Sequence, residues 1–391
     1  MNPFQFYLKT EVVFGAGSHK ETAKLVKKHG GSKVLVVYGG GSCARSGLLK
    51  TLTDALEDEG LPYETFGGAQ PNPRLSHARE GVKKAIAFGA DFILAVGGGS
   101  SIDTAKAIAL GAADPETDIW QYWLKKKQPQ SVLSVGVVLT LPAAGSETSD
   151  SAVLTDEETM AKRGLSTDLN RPVFAVLDPV LAATLPRYQV SCGVTDILMH
   201  TLDRYFNPVP DNELSDAMAE ALLRVVLKHG TKVVEDPADL HAMGEIMWCG
   251  SVSHNGLTGL GGQKDFAVHQ LGHAISAKYD VAHGASLSAV WGSWAKAVAD
   301  ADGYARFARF GRNVWGISEP DDKKAAMLAI EKQVCYYKNL HMPTCLQDLG
   351  IENVDVAALA ELCSYGKTRT IGAFRVLDHE KIYAIYQAAN L

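Results

Sequence analysis

The sequence predicts an α/β N-terminal domain built on a doubly wound, Rossmann-like parallel sheet, followed by an all-α C-terminal domain. Three observations carry that prediction. Near-continuous runs of β-branched and apolar residues alternate with helical patterns as far as Leu185-Pro186, as strands buried on both faces require. Several of these runs break directly into Gly, Ser and Thr. Beyond Pro186 the strand signals fade and 3.6-residue periodicity takes over. A chain of 391 residues is also too long for one ordinary core, so the expected domains are 1–186 and 187–391.

Taken in order, Thr10 to Gly15 (TEVVFG) reads as a short strand with an exposed edge, followed by a helical pattern through Lys28. Lys33 to Tyr38 is an apolar strand ending in Gly39-Gly40-Gly41-Ser42, and Asp91 to Val96 is another, ending in Gly97-Gly98-Gly99-Ser100. Ser134 to Leu139 runs into Thr140-Leu141-Pro142, and Val173 to Leu177 is closed by Asp178-Pro179. Helical patterns cover Leu48 to Glu57 and Ser76 to Phe88 between the strands. In the second half they cover Glu213 to Leu227, Leu240 to Ser253, Val290 to Ala299 and Lys323 to Tyr337.

Composition narrows the function. A formal charge of -6 without a basic block argues against nucleic-acid binding. No apolar run approaches membrane-spanning length and the N-terminus has no signal-peptide pattern, so a cytoplasmic protein with no membrane partner is expected. The six cysteines contain no CxxC pair, which favours buried free thiols over a thiolate metal site or a disulfide framework.

Two groups of residues carry chemistry. At strand C-termini, Gly97, Gly98, Gly99 and Ser100 let backbone amides approach a pyrophosphate, and Ser100 and Ser101 are expected to cap the helix that follows. Gly39, Gly40, Gly41 and Ser42 offer amides and a hydroxyl but no carboxylate for an adenosine ribose, which favours NADP(H), with NAD(H) the alternative. In the second half, Asp196 and His200 share an i, i+4 spacing, as do His269 and His273, with His283 close behind. One carboxylate and three imidazoles suit Fe²⁺ or Zn²⁺, and such an ion polarises a carbonyl oxygen. Asp196, His200, His269 and His283 form one such set. Spacing does not single out the remaining imidazole, since His273 is as well placed as its neighbours; a His273 off the metal is a natural proton relay. His254, Leu257 and Phe266 are the expected pocket wall.

With these residues assembled, the sequence resembles the iron-containing, or group III, alcohol dehydrogenases. The resemblance rests on Gly97-Gly98-Gly99-Ser100 with Asp103 and Lys106, the Thr140 to Glu147 loop, Leu177-Asp178-Pro179, Asp196-x3-His200 and His269-x3-His273-x9-His283. Tyr38 to Ser42, Asn255-Gly256-Leu257 and Gln263-x-Asp265-aromatic-Ala267-x-His269 are similar to the NADPH-dependent butanol dehydrogenase and aldehyde reductase branch. The resemblance implies a dehydroquinate synthase-like architecture and a divalent metal on Asp196, His200, His269 and His283, with His273 near the nicotinamide. It also implies cofactor contacts from Gly98, Gly99, Ser100, Asp103, Thr140, Leu141, Ser146, Lys162 and Leu177, and a homodimer. Ser101, where proline is frequent, and Phe266, in place of another aromatic, are local departures. The implied reaction is hydride transfer between NADP(H) and a small primary alcohol or aldehyde. The alternatives are a dehydroquinate synthase-like or glycerol dehydrogenase-like metal enzyme acting on a polyol or sugar-derived substrate, and a non-catalytic nucleotide sensor.

Overall fold

The computed structural model describes residues 1–390. The chain forms two compact units, one of Tyr7–Leu185 with Ala238–Ser251, the other of Met1–Phe6, Pro186–Pro237 and Val252–Leu391. The strands, all in the first unit, are β1 (Glu11–Phe14), β2 (Val34–Tyr38), β3 (Tyr63–Phe66), β4 (Phe92–Gly97), β5 (Ser134–Leu139), β6 (Ser151–Asp156), β7 (Ala161–Ser166) and β8 (Phe174–Leu177). Six of them make one sheet in the order β1-β8-β5-β4-β2-β3, with every pairing parallel. β6 and β7 form a separate antiparallel hairpin, Ser151 opposite Ser166 and Asp156 opposite Ala161.

The apolar runs become the centre of the sheet because helices cover both of its faces, leaving Val34 to Val37 and Phe92 to Val96 buried. Each such side chain contributes on the order of 1.5–3 kcal/mol. Gly136 in β5 is part of that packing: a Cβ there would meet the Phe174 ring of β8 at 2.3 Å. The chain steps from β2 outward to β3 and then returns past β2 to β4, so the winding reverses between β2 and β4. Tyr38 lies in register with Val96, which sets the Gly39 and Gly97 loops side by side at the strand C-termini. Ligands of open α/β sheets bind at such a switch point.

Two strand elements escape the hydrophobic pattern. β3 is a four-residue edge strand, Tyr-Glu-Thr-Phe, none of it fully buried. β7 reads Ala-Lys-Arg-Gly-Leu-Ser, with only Lys162 and Leu165 buried. The expected capping by Ser100 and Ser101 is also corrected. The helix Gly99–Ala113 begins after Gly98, no side chain caps it, and both serines lie within its first turn.

The second unit is helical, as expected. Its helices are Arg187–Tyr205, Glu213–Glu235, Ala267–Tyr279, His283–Val298, Ala305–Trp315, Asp322–Asn339, Val356–Cys363 and His379–Ala389. The helix Leu240–His254 has most of its length in the first unit. Rings of Phe206, Trp294, Phe307, Phe310 and Phe374 pack together as one core. Two close approaches depend on glycine. A Cβ on Gly284 would lie 2.3 Å from the Cys192 carbonyl oxygen, and one on Gly272 would lie 2.7 Å from Leu287 Cδ2. These contacts bring the three helices that carry the acid and histidine motifs together.

Candidate active site

In the helical unit, Asp196 and His200 project from one face of the helix Arg187–Tyr205. His269 and His273 lie one turn apart on Ala267–Tyr279, and His283 opens His283–Val298. The ligand atoms of Asp196, His200 and His269 all fall within 4.8 Å of one another. Asp196 Oδ1 is 3.1 Å from His200 Nδ1, 3.6 Å from His269 Nε2 and 3.8 Å from His283 Nε2. The His273 ring adjoins the cluster, its centroid 6.2 Å from His269 and 5.2 Å from His283, against 5.3 Å between His269 and His283.

The cluster has the chemistry of a cation site. Asp196 Oδ1 and His269 Nε2 are buried and neither has a hydrogen-bond partner, an arrangement that is costly unless something satisfies both. Burial pushes the Asp196 carboxyl up, but the neighbouring His200, His283 and His269 imidazoles more than offset it and hold the group well below the usual carboxylate range. Burial lowers His200. His269 is raised despite burial, because Asp196 and Asp203 attract positive charge to its ring. One carboxylate and neighbouring imidazoles around a common point fit Fe²⁺ or Zn²⁺.

Behind this cluster lie Asp203, which sequence reading missed, and Asp265, which it named in the approach to His269 without a role. Asp203, fully buried, places Oδ2 2.5 Å from His269 Nδ1. Asp265 accepts from the amides of Ala267, Ala373 and Phe374 and so pins the first turn of the His269 helix; burial, reinforced by the Asp203 charge, pushes its carboxyl up to about 6. The only sequence signal for Asp203 was its place three residues after His200. Of the expected wall residues, His254 stacks on His200 at 4.1 Å, and the Phe266 ring lies 5.2 Å from His269. No ring contact places Leu257, whose amide donates to Asn255 Oδ1 at 2.9 Å.

In the sheet unit, the glycine loops leave little room for side chains. Gly97 has φ +150, and a Cβ there would meet Ser101 Oγ at 2.5 Å; Cβ atoms on Gly98 and Gly99 would meet Leu141 and Ala144 at 3.1 and 3.2 Å. The uncapped N-terminus of Gly99–Ala113 therefore presents amides over a Cβ-free surface, a cradle that fits a pyrophosphate. Thr140 donates its amide to Gly97 O at 3.0 Å, tying the β5 loop to this cradle, and Leu177 is buried at the end of β8. Lys162 donates to Asn72 Oδ1 at 2.9 Å. Gly39, Gly40, Gly41 and Ser42 follow β2 directly, and the Arg45 guanidinium lies against Gly41.

Asp103 and Ser146, expected among the cofactor contacts, are bonded to one another behind the loop. Asp103 accepts from Ser146 Oγ and from the Val153 amide, so both its oxygens are engaged within the protein. Lys106, also buried, donates to Ser146 Oγ at 2.9 Å, to Ser149 O at 3.2 Å and to Ser151 O at 2.7 Å. Burial lowers its ammonium to about 8 and raises the Asp103 carboxyl. The next residue, Glu147, accepts from Ser251 Oγ at 2.5 Å. These bonds brace the Thr140 to Glu147 loop from behind.

Comparison with known proteins agrees with this geometry. The iron-containing alcohol dehydrogenase family model matches residues 9–179, and the C-terminal model of the same family matches residues 190–390. The chain is 34% identical to NADH-dependent butanol dehydrogenase A of Clostridium acetobutylicum, with 99% of each chain covered. It is 33% identical to the NADPH-dependent aldehyde reductase YqhD of Escherichia coli, over the whole of both chains. The crystal structure of NADH-dependent butanol dehydrogenase A from Thermotoga maritima superposes with a TM-score of 0.96 at 32% identity, covering 100% of this chain and 99% of that one.

Proposed function

Because this chain belongs to the iron-containing alcohol dehydrogenase family, we propose that it transfers hydride reversibly between NADP(H) and a small primary alcohol or aldehyde. The observation that carries the reading is the convergence of Asp196, His200, His269 and His283, with two buried atoms, Asp196 Oδ1 and His269 Nε2, that have no hydrogen-bond partner within the protein. These residues would hold Fe²⁺ or Zn²⁺, which would supply a Lewis acid for the carbonyl oxygen, and the nicotinamide would supply the hydride. Gly97, Gly98, Gly99 and Ser100 hold the pyrophosphate, and Thr140, Leu141, Lys162 and Leu177 line the rest of the cofactor's path. Asp103 and Ser146 hold the loop in shape. His273, beside the ligands rather than among them, takes the proton-relay role at its ring nitrogens. His254 and Phe266 exclude water and fit a short aliphatic chain.

The preference for NADP(H) rests on the β2 loop. Gly39 to Ser42 presents amides and a hydroxyl with no carboxylate, and Arg45 beside Gly41 adds positive charge suited to a 2′-phosphate. Relatives 34% and 33% identical are named for NADH and NADPH respectively, and the loop chemistry supports the second. A homodimer through the edge strand β1 is supported by its open edge and by exposed Phe14 and Trp248 nearby in the same unit. All six cysteines are free, which fits a cytoplasmic setting. Among the described residues, no helix is long and apolar enough to cross a membrane. The synthase-like alternative needs cations to receive a phosphate-bearing substrate. Arg204 is a poor candidate, since it donates to His200 O at 2.6 Å and lies over the Phe266 ring.

The test is loss of the reduced-nicotinamide absorbance with butyraldehyde, run with NADPH and with NADH on protein reconstituted with Fe²⁺ or Zn²⁺. The proposal expects metal-dependent oxidation, faster with NADPH and abolished in His269→Ala. No oxidation of either cofactor across short aldehydes overturns it.

A further inference from the structure

We propose that Asp203 is the positioning residue of this centre, fixing the tautomer and direction of His269 so that Nε2 faces the metal; the proposal rests on the reading of Asp196, His200, His269 and His283 as ligands. A carboxylate oxygen accepts hydrogen bonds, so the 2.5 Å contact from Asp203 Oδ2 assigns the proton of His269 to Nδ1. The lone pair is then on Nε2, the atom that lies 3.6 Å from Asp196 Oδ1 without a hydrogen-bond partner. A histidine ligand held this way is oriented and made more basic by the carboxylate behind it.

Other features separate Asp203 from an ordinary buried acid. Its side chain is fully buried, yet its second oxygen, Oδ1, has no hydrogen-bond partner. A carboxylate kept for fold stability alone would cap a helix or bridge several donors, as Asp265 does with three amides. A buried acid paired with an imidazole is weak evidence for stability, since well-packed apolar residues in place of both partners are often as stable. The backbone of the same residue reinforces the alignment. The Asp265 amide donates to Asp203 O at 2.9 Å, and Asp265 in turn holds the first turn of the helix Ala267–Tyr279. Ring and helix of His269 are thus both referred to Asp203, three residues from His200 on the helix that carries the other two clustered ligands.

The test uses full-length protein stripped of metal and titrated with Co²⁺ or Zn²⁺ against a chromophoric chelator, comparing wild type with Asp203→Asn and Asp203→Glu. The visible Co²⁺ bands and the thermal midpoint of the metal-free protein are recorded in parallel. The expected result is a 10- to 100-fold loss of metal affinity in Asp203→Asn, with altered Co²⁺ bands, a retained metal-free fold and partial recovery in Asp203→Glu. Unchanged affinity and bands in Asp203→Asn overturn the proposal, as does unfolding of both metal-free variants, which makes Asp203 a structural residue. Failure of wild type to bind either ion overturns the metal reading itself.

Discussion

Replacing Gly284 by alanine tests how the helices assemble the cluster. The added Cβ would stand 2.3 Å from the Cys192 carbonyl oxygen, 2.7 Å from Cys192 Cα and 2.8 Å from its carbonyl carbon. All three atoms are backbone inside the helix Arg187–Tyr205, so no side chain can rotate away. Ordinary contact requires the start of His283–Val298 to retreat by about 1 Å, and His283 is the residue immediately before the glycine. Overpacking of a core costs roughly 1–3 kcal/mol, and a clash with rigid backbone belongs at the upper end of that range. For a helical unit of this size, about 3 kcal/mol lowers the melting midpoint by roughly 6–12 °C. A shift of His283 by the same distance weakens metal binding at least tenfold. The assay is thermal unfolding of the metal-free protein together with a Zn²⁺ competition titration. Gly272→Ala is the control, since the atoms it meets, Leu287 Cδ2 and Ser286 Oγ, belong to side chains that can move. Its loss is smaller in both measurements. Wild-type midpoint and affinity in Gly284→Ala would refute the idea that this backbone approach places His283.

Two further substitutions address the sheet unit. Lys106→Met leaves Asp103 as a buried carboxylate without its cationic neighbour and is expected to cost about 3–5 kcal/mol and to weaken nucleotide binding, read by nicotinamide fluorescence. Because the folded Lys106 titrates near 8, below its ordinary 10.5, the unfolded chain binds the extra proton between those values. Wild-type stability therefore rises relative to Lys106→Met from pH 8 to 10.5, by on the order of 3 kcal/mol, and parallel pH profiles in denaturant would contradict this assignment. Gly40→Asp places a carboxylate where a Cβ meets nothing within 4 Å, so the fold should tolerate it. The ratio of kcat/KM for NADPH over NADH is expected to fall at least tenfold, as roughly 1.4 kcal/mol of repulsion at a 2′-phosphate gives; an unchanged ratio places the phosphate elsewhere.

How much of this was legible follows from what each element requires. β2, β4, β5 and β8 could be read because a strand buried on both faces must be almost wholly apolar, and the glycine-rich ends of β2 and β4 mark where the chain turns at the switch point. β3 and β7 are only partly buried, so their sequences carry no such run. The helix Leu240–His254 was clear from its period, but the membership of Ala238–Ser251 in the sheet unit depends on contacts that periodicity does not encode. The histidine and acid motifs stood out by residue type and spacing. Their meeting point did not, because it requires three helices to approach through Gly272 and Gly284. Asp203 was invisible for a related reason: an acid three residues after a histidine on a helix usually faces water, and only the packed helices show it buried behind His269. Asp103 stood out by its place within the glycine-loop motif, but its bonds to Ser146 and the Val153 amide join distant parts of the chain that spacing does not reveal.

The proposed function requires Asp196, His200, His269 and His283 to hold one catalytic divalent ion. The most direct measurement titrates metal-stripped protein with Fe²⁺ under anaerobic conditions, and separately with Zn²⁺, following bound metal by elemental analysis and NADPH oxidation with butyraldehyde in the same samples. Activity is expected to rise in proportion to bound metal and saturate at one ion per chain, and Asp196→Asn and His269→Ala are expected neither to retain the ion nor to gain activity. Full activity in the stripped protein, or one tightly held ion in both variants, would contradict it.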